Sequence, residues 1–262
     1  MISASVLALA RLVKILSRGS VELSGEERRC FPRNKFPTHL LVVLGSGGHT
    51  AEMLNMLGRV PCLQSDFTHR TYVVSSGDDF SAQKAAEFEV RLESISRRSS
   101  YSIVVVQRAR RVHQSFVSIP WSSIFCVWDC LQVLRGIHVD QQHSRLPIIP
   151  SLQSYPDLIL TNGPGTGVCV VLASLILLFF GYTGPTSPAD VSMKPTAPSS
   201  RAHLPYTPGH MRTIYVESWA RVTTLSLSGK LLLPFVDRFL VQWPSLKGRG
   251  AGKAEFVGQL VE

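Results

Sequence analysis

The sequence is short of charge. Only 17% of its 262 residues are Asp, Glu, Lys or Arg, against about 25% in an ordinary soluble domain. Acidic residues are the scarcer kind, 18 against 27 Lys and Arg, which leaves a net charge of +9. An acidic disordered tail protein is excluded, and 45% apolar content excludes a collagen-like chain. Also lacking is an apolar run of the roughly 20 residues that a membrane span requires. The uncharged N-terminal run stops at Ala10, and a second run covers only residues 168–180. At that length the second reads as a buried core helix. Cysteine is sparse and scattered, at Cys30, Cys62, Cys126, Cys130 and Cys169. Cys126 and Cys130 share a helical face, but no second close pair completes a zinc site. The cysteines read as small core thiols in a reducing compartment. No metal or cofactor is expected.

A basic, apolar chain suits an anionic partner: nucleic acid, an anionic membrane surface or a phosphorylated substrate. At the N-terminus, Arg11, Lys14 and Arg18 come within or after the apolar stretch, whereas a signal peptide puts its charge first. As a helix, Val6, Leu9, Val13 and Leu16 line one face, with Leu12 and Ile15 beside it. This predicts a membrane-associated amphipathic helix over residues 1–18, with a terminal helix packed on the core as the alternative. Residues 19–38, polar and holding Pro32 and Pro37, read as a linker to a domain at 39–262.

Inside that domain, apolar strands alternate with helices. Strands are expected at 40–44, 71–75, 101–106, 157–161, 212–217 and 238–242. Helices are expected at 51–57, 80–92 with Asp79 as cap, 121–134, 168–180 and 225–235. Such alternation predicts an α/β, Rossmann-like parallel sheet covered on both faces. Residues 183–210 break the pattern with six prolines among Ser, Thr and Gly. They read as a disordered Pro/Ser-rich insertion, since long structureless loops are uncommon inside a compact domain.

Two glycine-rich turns carry the chemistry. Gly45, Ser46, Gly47, Gly48, His49 and Thr50 follow the first strand and enter a helix. Glycine lets a ligand approach the backbone N–H groups, and a helix N-terminus favours phosphate. The spacing matches neither the dinucleotide fingerprint nor the P-loop. Asn162, Gly163, Pro164, Gly165, Thr166 and Gly167 repeat the arrangement after a later strand. In an open parallel sheet both turns face one crevice, where ligands bind. Arg108, Arg110 and Arg111 follow the third strand on the same edge, where they suit a diphosphate. His49 is a candidate base, phosphate donor or helix cap. Glu52 in the first helical turn complements the dipole. Glu217, ending a strand, either binds a sugar hydroxyl or caps the next helix. Residues 107–115 hold no aromatic side chain to stack on bases, which argues against nucleic acid.

These blocks resemble the asparagine-linked glycosylation protein 14 family. The carriers are Leu-Gly-Ser-Gly-Gly-His-Thr-x-Glu-Met (44–53), Arg-Ala-Arg-x-Val-x-Gln-Ser (108–115) and Asp-Leu-Ile-Leu-Thr-Asn-Gly-Pro-Gly-Thr-Gly (157–167). Ile-Tyr-Val-Glu-Ser-x-Ala-Arg-Val (214–222) and Asp-x-Phe-x-Val-Gln-Trp-Pro (237–244) complete the set. The resemblance implies the N-terminal, acceptor half of a GT-B glycosyltransferase split into two chains. It implies a membrane-anchoring, acceptor-binding subunit of a UDP-N-acetylglucosamine transferase, which adds the second GlcNAc to GlcNAc-diphosphodolichol. A soluble catalytic subunit would supply the UDP-GlcNAc site. The location implied is the cytosolic face of the endoplasmic reticulum membrane and the contiguous nuclear membrane.

About 20 residues follow the last expected strand, too few for a second domain, so activity is expected to need a partner chain. The alternative is a self-sufficient single-chain glycosyltransferase using His49 as base.

Overall fold

The computed structural model describes residues 2–16, 38–93, 100–110, 119–143, 155–163, 165–181 and 211–260. The expected insertion at 183–210 lies outside the described residues. So do Arg111, Pro164 and all of the expected 19–38 linker except Thr38.

The apolar run after Thr38 forms β1 (His39–Val43), with every residue buried. A strand this uniformly apolar must be covered on both faces. It is central in a sheet ordered β3-β2-β1-β4-β5-β6-β7. The other strands are β2 (His69–Ser75), β3 (Ser100–Val106), β4 (Leu158–Thr161), β5 (Arg212–Val216), β6 (Arg238–Val241) and β7 (Ala254–Phe256). Every neighbouring pair is parallel. The α/β, Rossmann-like sheet expected from the alternation is therefore present. β7 corrects the expectation that the sheet ends near Gln242. Its three residues were too short to show a period.

The helices are α1 (Ile2–Leu16), α2 (Gly48–Gly58), α3 (Leu63–Asp66), α4 (Asp79–Glu93), α5 (Ile119–Leu134), α6 (Val139–His143), α7 (Gly165–Phe179) and α8 (Leu227–Leu232). One face of the sheet presents Leu41, Val43, Val73, Val104 and Ile159 to Cys126, Cys130 and Val133 of α5 and to Val170, Ala173 and Leu177 of α7. The alternate residues Leu40, Val42, Tyr72 and Val74 pack on Met53 and Leu57 of α2 and Phe88 of α4. This is the two-residue strand period expressed as two cores. α7 is the buried helix expected from its apolar run. α8 is shorter than the 225–235 helix expected, ending at Leu232 before Pro234.

The cap of α4 is Asp78 rather than Asp79: its Oδ1 accepts from the Ser81 N–H at 3.2 Å. α6 was not anticipated. Its Asp140 accepts from the Val105 N–H at 2.8 Å, and Asp129 of α5 accepts from the Gln107 N–H at 2.9 Å. These carboxylates occupy the outer edge of β3, where an unpaired strand would otherwise invite another chain.

A buried ion pair joins β2 to α4. Arg70 donates to both oxygens of Glu89 at 2.6 Å, and both side chains are fully buried. Tyr72 adds its hydroxyl to Glu89 at 2.5 Å. Cys126, Cys130 and Cys169 are buried thiols. The hydrogen bond with Cys130, then burial, raises the Cys126 thiol above its ordinary range although the bond with Cys169 opposes this, and the bond with Cys126, then burial, raises Cys169. Cys62 is disulfide-bonded, which corrects the reading of all five cysteines as free thiols.

α1 meets the domain at its last turn. Ile15 is buried, and Ile15 and Leu16 line a shallow pocket with Leu175 and Leu178 of α7. Val6, Leu9, Leu12 and Val13 remain exposed. No helix among the described residues is long and apolar enough to cross a membrane.

Candidate functional site

The strand order reverses direction between β1 and β4, which are direct neighbours. In an open parallel sheet this switch point opens a crevice at the C-terminal strand ends. The two glycine-rich turns leave those two strands side by side.

In the first turn, Gly47 caps α2 with φ 61° and ψ −119°, a backbone state that a side chain disfavours. No side chain caps the first N–H groups of α2, so they remain available to an anion at the positive end of the helix. Ser46, Gly47 and Gly48 are exposed. Thr50 behaves differently. Its fully buried hydroxyl bonds the Gly45 carbonyl and lies 2.7 Å from Ser81 Oγ. Ser81 in turn donates to Gly45 at 3.2 Å and to Asp78 at 2.8 Å. The Thr50 side chain therefore shapes the turn from beneath and does not line the crevice.

The second turn braces the first. Asn162, fully buried, donates its amide to the His49 carbonyl at 2.7 Å. A Cβ at Gly163 would lie only 3.3 Å from His49 Nδ1, so Gly163 lets the imidazole pack directly on the backbone. Thr166 points into the sheet, its hydroxyl 2.7 Å from Ser75 Oγ. At Gly167 a Cβ would fall 2.2 Å from Thr161 Oγ1, so helix and strand approach too closely for any side chain. The Thr166 side chain and the Cβ-free face of Gly167 are thus turned to the packed interior. Three buried polar atoms here lack a hydrogen-bond partner: His49 Nδ1, Asn162 Oδ1 and Thr161 Oγ1. Unpaired buried polar atoms are uncommon and mark strain or a missing ligand.

The basic segment joins from β3. Ala109 is buried, and its Cβ would lie 3.2 Å from a Cβ on Gly165. The Arg108 N–H donates to Ser76 Oγ at 3.2 Å, and Arg110 is exposed. The three expected segments therefore converge on one edge.

Glu217 does not join them at the surface. It is 1% exposed. One oxygen accepts from the Ser218 N–H, and the other from the N–H and hydroxyl of Ser226, which caps α8. Glu217 therefore braces Ser226, the cap of α8, from beneath.

Glu52 takes the more central place. It is buried, one turn after His49 on α2. Its Oε1 accepts from the Trp219 N–H at 2.5 Å and from the Gln242 amide at 2.7 Å. Its Oε2 lies 3.7 Å from His49 Nδ1. Burial pushes its carboxyl up, but His49 and the donors Trp219, Gln242 and Ser218 outweigh that and hold it below the usual carboxylate range. Trp219 also packs against Trp243, the rings tilted by 37° with centroids 4.4 Å apart, and the Trp243 indole donates to the Trp219 carbonyl at 2.7 Å. The sequence signal for Glu52 was its spacing of three from His49. Its other partners come from strands distant in the chain.

Among the described residues no group of three or more His, Cys, Asp or Glu stands close enough to hold a metal ion. The polarity of this edge instead suits an anion, with uncapped N–H groups at the start of α2 and Arg108 and Arg110 in the segment after β3.

Comparison with known proteins gives the same direction. A family model described as oligosaccharide biosynthesis protein Alg14 like matches residues 40–260. A UDP-N-acetylglucosamine transferase subunit alg14 of Aspergillus fumigatus is 47% identical over 231 residues, covering 80% of this chain and 100% of that protein. The protein of that name in Schizosaccharomyces pombe is 35% identical, covering 86% of this chain and 85% of its own. The human one is 33% identical, covering 85% and 82%. No solved structure matches. The family model spans the whole sheet and both glycine turns, and the chain therefore belongs to the Alg14 family.

Proposed function

We propose that this chain is the acceptor-binding, membrane-associating subunit of a two-subunit UDP-GlcNAc transferase. The reaction adds the second GlcNAc to GlcNAc-diphosphodolichol in the synthesis of the N-glycan precursor. The observation that carries the reading is the pairing of two glycine turns at the switch between β1 and β4. The uncapped N–H groups of α2 take the diphosphate, and Arg108 and Arg110 neutralise it from the side. His49 stands at the same place, next to the sugar that the diphosphate carries. A soluble catalytic subunit supplies the UDP-GlcNAc site, in keeping with the word subunit in the relatives' names.

α1 rests on the cytosolic face of the endoplasmic reticulum membrane, or the nuclear membrane continuous with it. Its exposed Val6, Leu9 and Val13, with Arg11 and Lys14, support an interfacial helix. The test is co-expression with the soluble partner and assay of transfer from UDP-GlcNAc to GlcNAc-diphosphodolichol. Activity is expected only with both chains present. Full transfer by this chain alone overturns the reading in favour of a single-chain enzyme using His49 as base.

A further inference from the structure

We propose that Glu52 is a positioning residue: it holds neutral His49 as the Nδ1–H tautomer, so that Nε2 meets the substrate as a hydrogen-bond acceptor. The inference deepens the function proposed above and rests on it for the substrate group that Nε2 meets.

The argument starts from what each oxygen of Glu52 faces. Oε1 is occupied by two donors, the Trp219 N–H at 2.5 Å and the Gln242 amide at 2.7 Å. These two bonds fix the carboxylate plane and leave Oε2 facing His49 Nδ1 at 3.7 Å. An ionised carboxylate only accepts. At this distance its charge favours a proton over a lone pair on the facing nitrogen. Nδ1 is buried and has no hydrogen-bond partner of its own, so nothing competes for that proton.

The backbone beneath the ring is held, because Asn162 donates to the His49 carbonyl at 2.7 Å, and the ring fills the space that a Cβ on Gly163 would take, 3.3 Å from Nδ1. The His49 side chain is nevertheless 38% exposed. Since Nδ1 is buried, that exposure belongs to the rest of the ring, where Nε2 lies.

A neutral imidazole protonated at Nδ1 carries its lone pair on Nε2. It then has no proton to give a phosphate oxygen, but it can accept one from a hydroxyl. This separates the work of the crevice. Backbone N–H groups and arginines hold the diphosphate. His49 faces the hydroxyl that the acceptor sugar brings for transfer, and takes its proton as the new glycosidic bond forms and UDP leaves with its electron pair.

The experiment uses the two-chain complex labelled with 15N-histidine, with the His49 signals assigned by their loss in His49→Gln. Spectra are taken at about pH 8.5, well above the ordinary histidine pKa of roughly 6.5. The expected result is a protonated Nδ1 and an unprotonated Nε2. In Glu52→Gln, the Trp219 N–H still needs an acceptor, so the amide oxygen stays there and the NH2 turns toward Nδ1. The tautomer should reverse to Nε2–H, and kcat should fall by about 100-fold, on the scale of lost general-base catalysis. Glu52→Asp should restore the original tautomer and part of kcat. A wild-type Nε2–H ring overturns the proposal, and so does a tautomer unmoved by Glu52→Gln. The wild-type spectrum decides even if Glu52→Gln does not fold. The tautomer is read without turnover, so its failure is distinct from failure of the functional reading. The latter shows as an acceptor KM unmoved by Arg108→Ala with Arg110→Ala.

Discussion

The Gln242 side-chain amide donates to the Glu52 carboxylate across 2.7 Å, joining residues 190 positions apart. The bond ties the residue after β6 to the second turn of α2, and the Trp219 N–H ties the segment after β5 to the same oxygen. Removing either partner strands a buried polar group. Gln242→Leu is expected to destabilise the chain by about 1–3 kcal/mol. A double-mutant cycle with Glu52→Leu should show coupling well above about 0.5 kcal/mol, measured by chemical denaturation. Simple additivity would mean that the contact contributes nothing.

The two glycines of the second turn should fail differently. Gly167→Ala places a methyl on Thr161 Oγ1, inside the helix–strand contact, and should cost about 1–3 kcal/mol in stability. Gly163→Ala meets only the imidazole of His49 at 3.3 Å. It should leave the melting temperature nearly unchanged and lower transfer by the two-chain complex. If Gly163→Ala unfolds the chain while Gly167→Ala does not, the packing described for the crevice is wrong.

Arg108 and Arg110 should act on one substrate. Arg108→Ala with Arg110→Ala is expected to raise KM for the diphospholipid acceptor by about tenfold or more, on the scale of lost charge-assisted hydrogen bonds. KM for UDP-GlcNAc should stay constant. Steady-state kinetics of the complex checks this, and equal effects on both substrates would place the arginines elsewhere.

Acid should unfold the chain through His69. Burial, then the neighbouring His39 and Arg70, push its pKa down to about 3, although Glu89 opposes the shift. Its ring is held by Ser100 at 2.8 Å and lies 4.8 Å from the His39 ring. A depressed histidine pKa means that the unfolded chain binds the proton more readily. The contribution of His69 is therefore intact above about pH 6.5 and is lost progressively as pH falls toward 3, by up to about 1.4 kcal/mol per pH unit. Denaturation midpoints between pH 7 and pH 4 should show this slope, and His69→Gln should flatten it. An unchanged slope would assign the acid sensitivity to other groups.

The buried Arg70–Glu89 pair should be intolerant of half-removal. Arg70→Met leaves a desolvated carboxylate and should cost about 3–5 kcal/mol. Arg70→Met with Glu89→Leu should recover much of that loss. Thermal melts of the three variants decide it.

The sheet and the loops that end its strands are legible in the residue pattern. A strand buried on both faces must be continuously apolar, as residues 40–44 are, and a ligand-accessible turn must be rich in glycine, as residues 45–48 are. Both requirements are local, so they appear as runs and spacings. The ordered motif blocks named the family for the same reason. β7 and α6 escaped because three and five residues hold too little of a period to register. Tertiary structure alone decided the roles within the crevice. Thr50 and Thr166 belong to the glycine turns in the sequence, but packing turns their hydroxyls inward to Gly45 and Ser75. Glu217 lies at a strand end as expected, yet burial commits it to Ser218 and Ser226. Glu52 reads as a dipole-balancing residue until the fold brings Trp219 and Gln242 to one of its oxygens and His49 to the other. A side chain's partners depend on which strands lie side by side, and that order is set by the packing of the whole sheet.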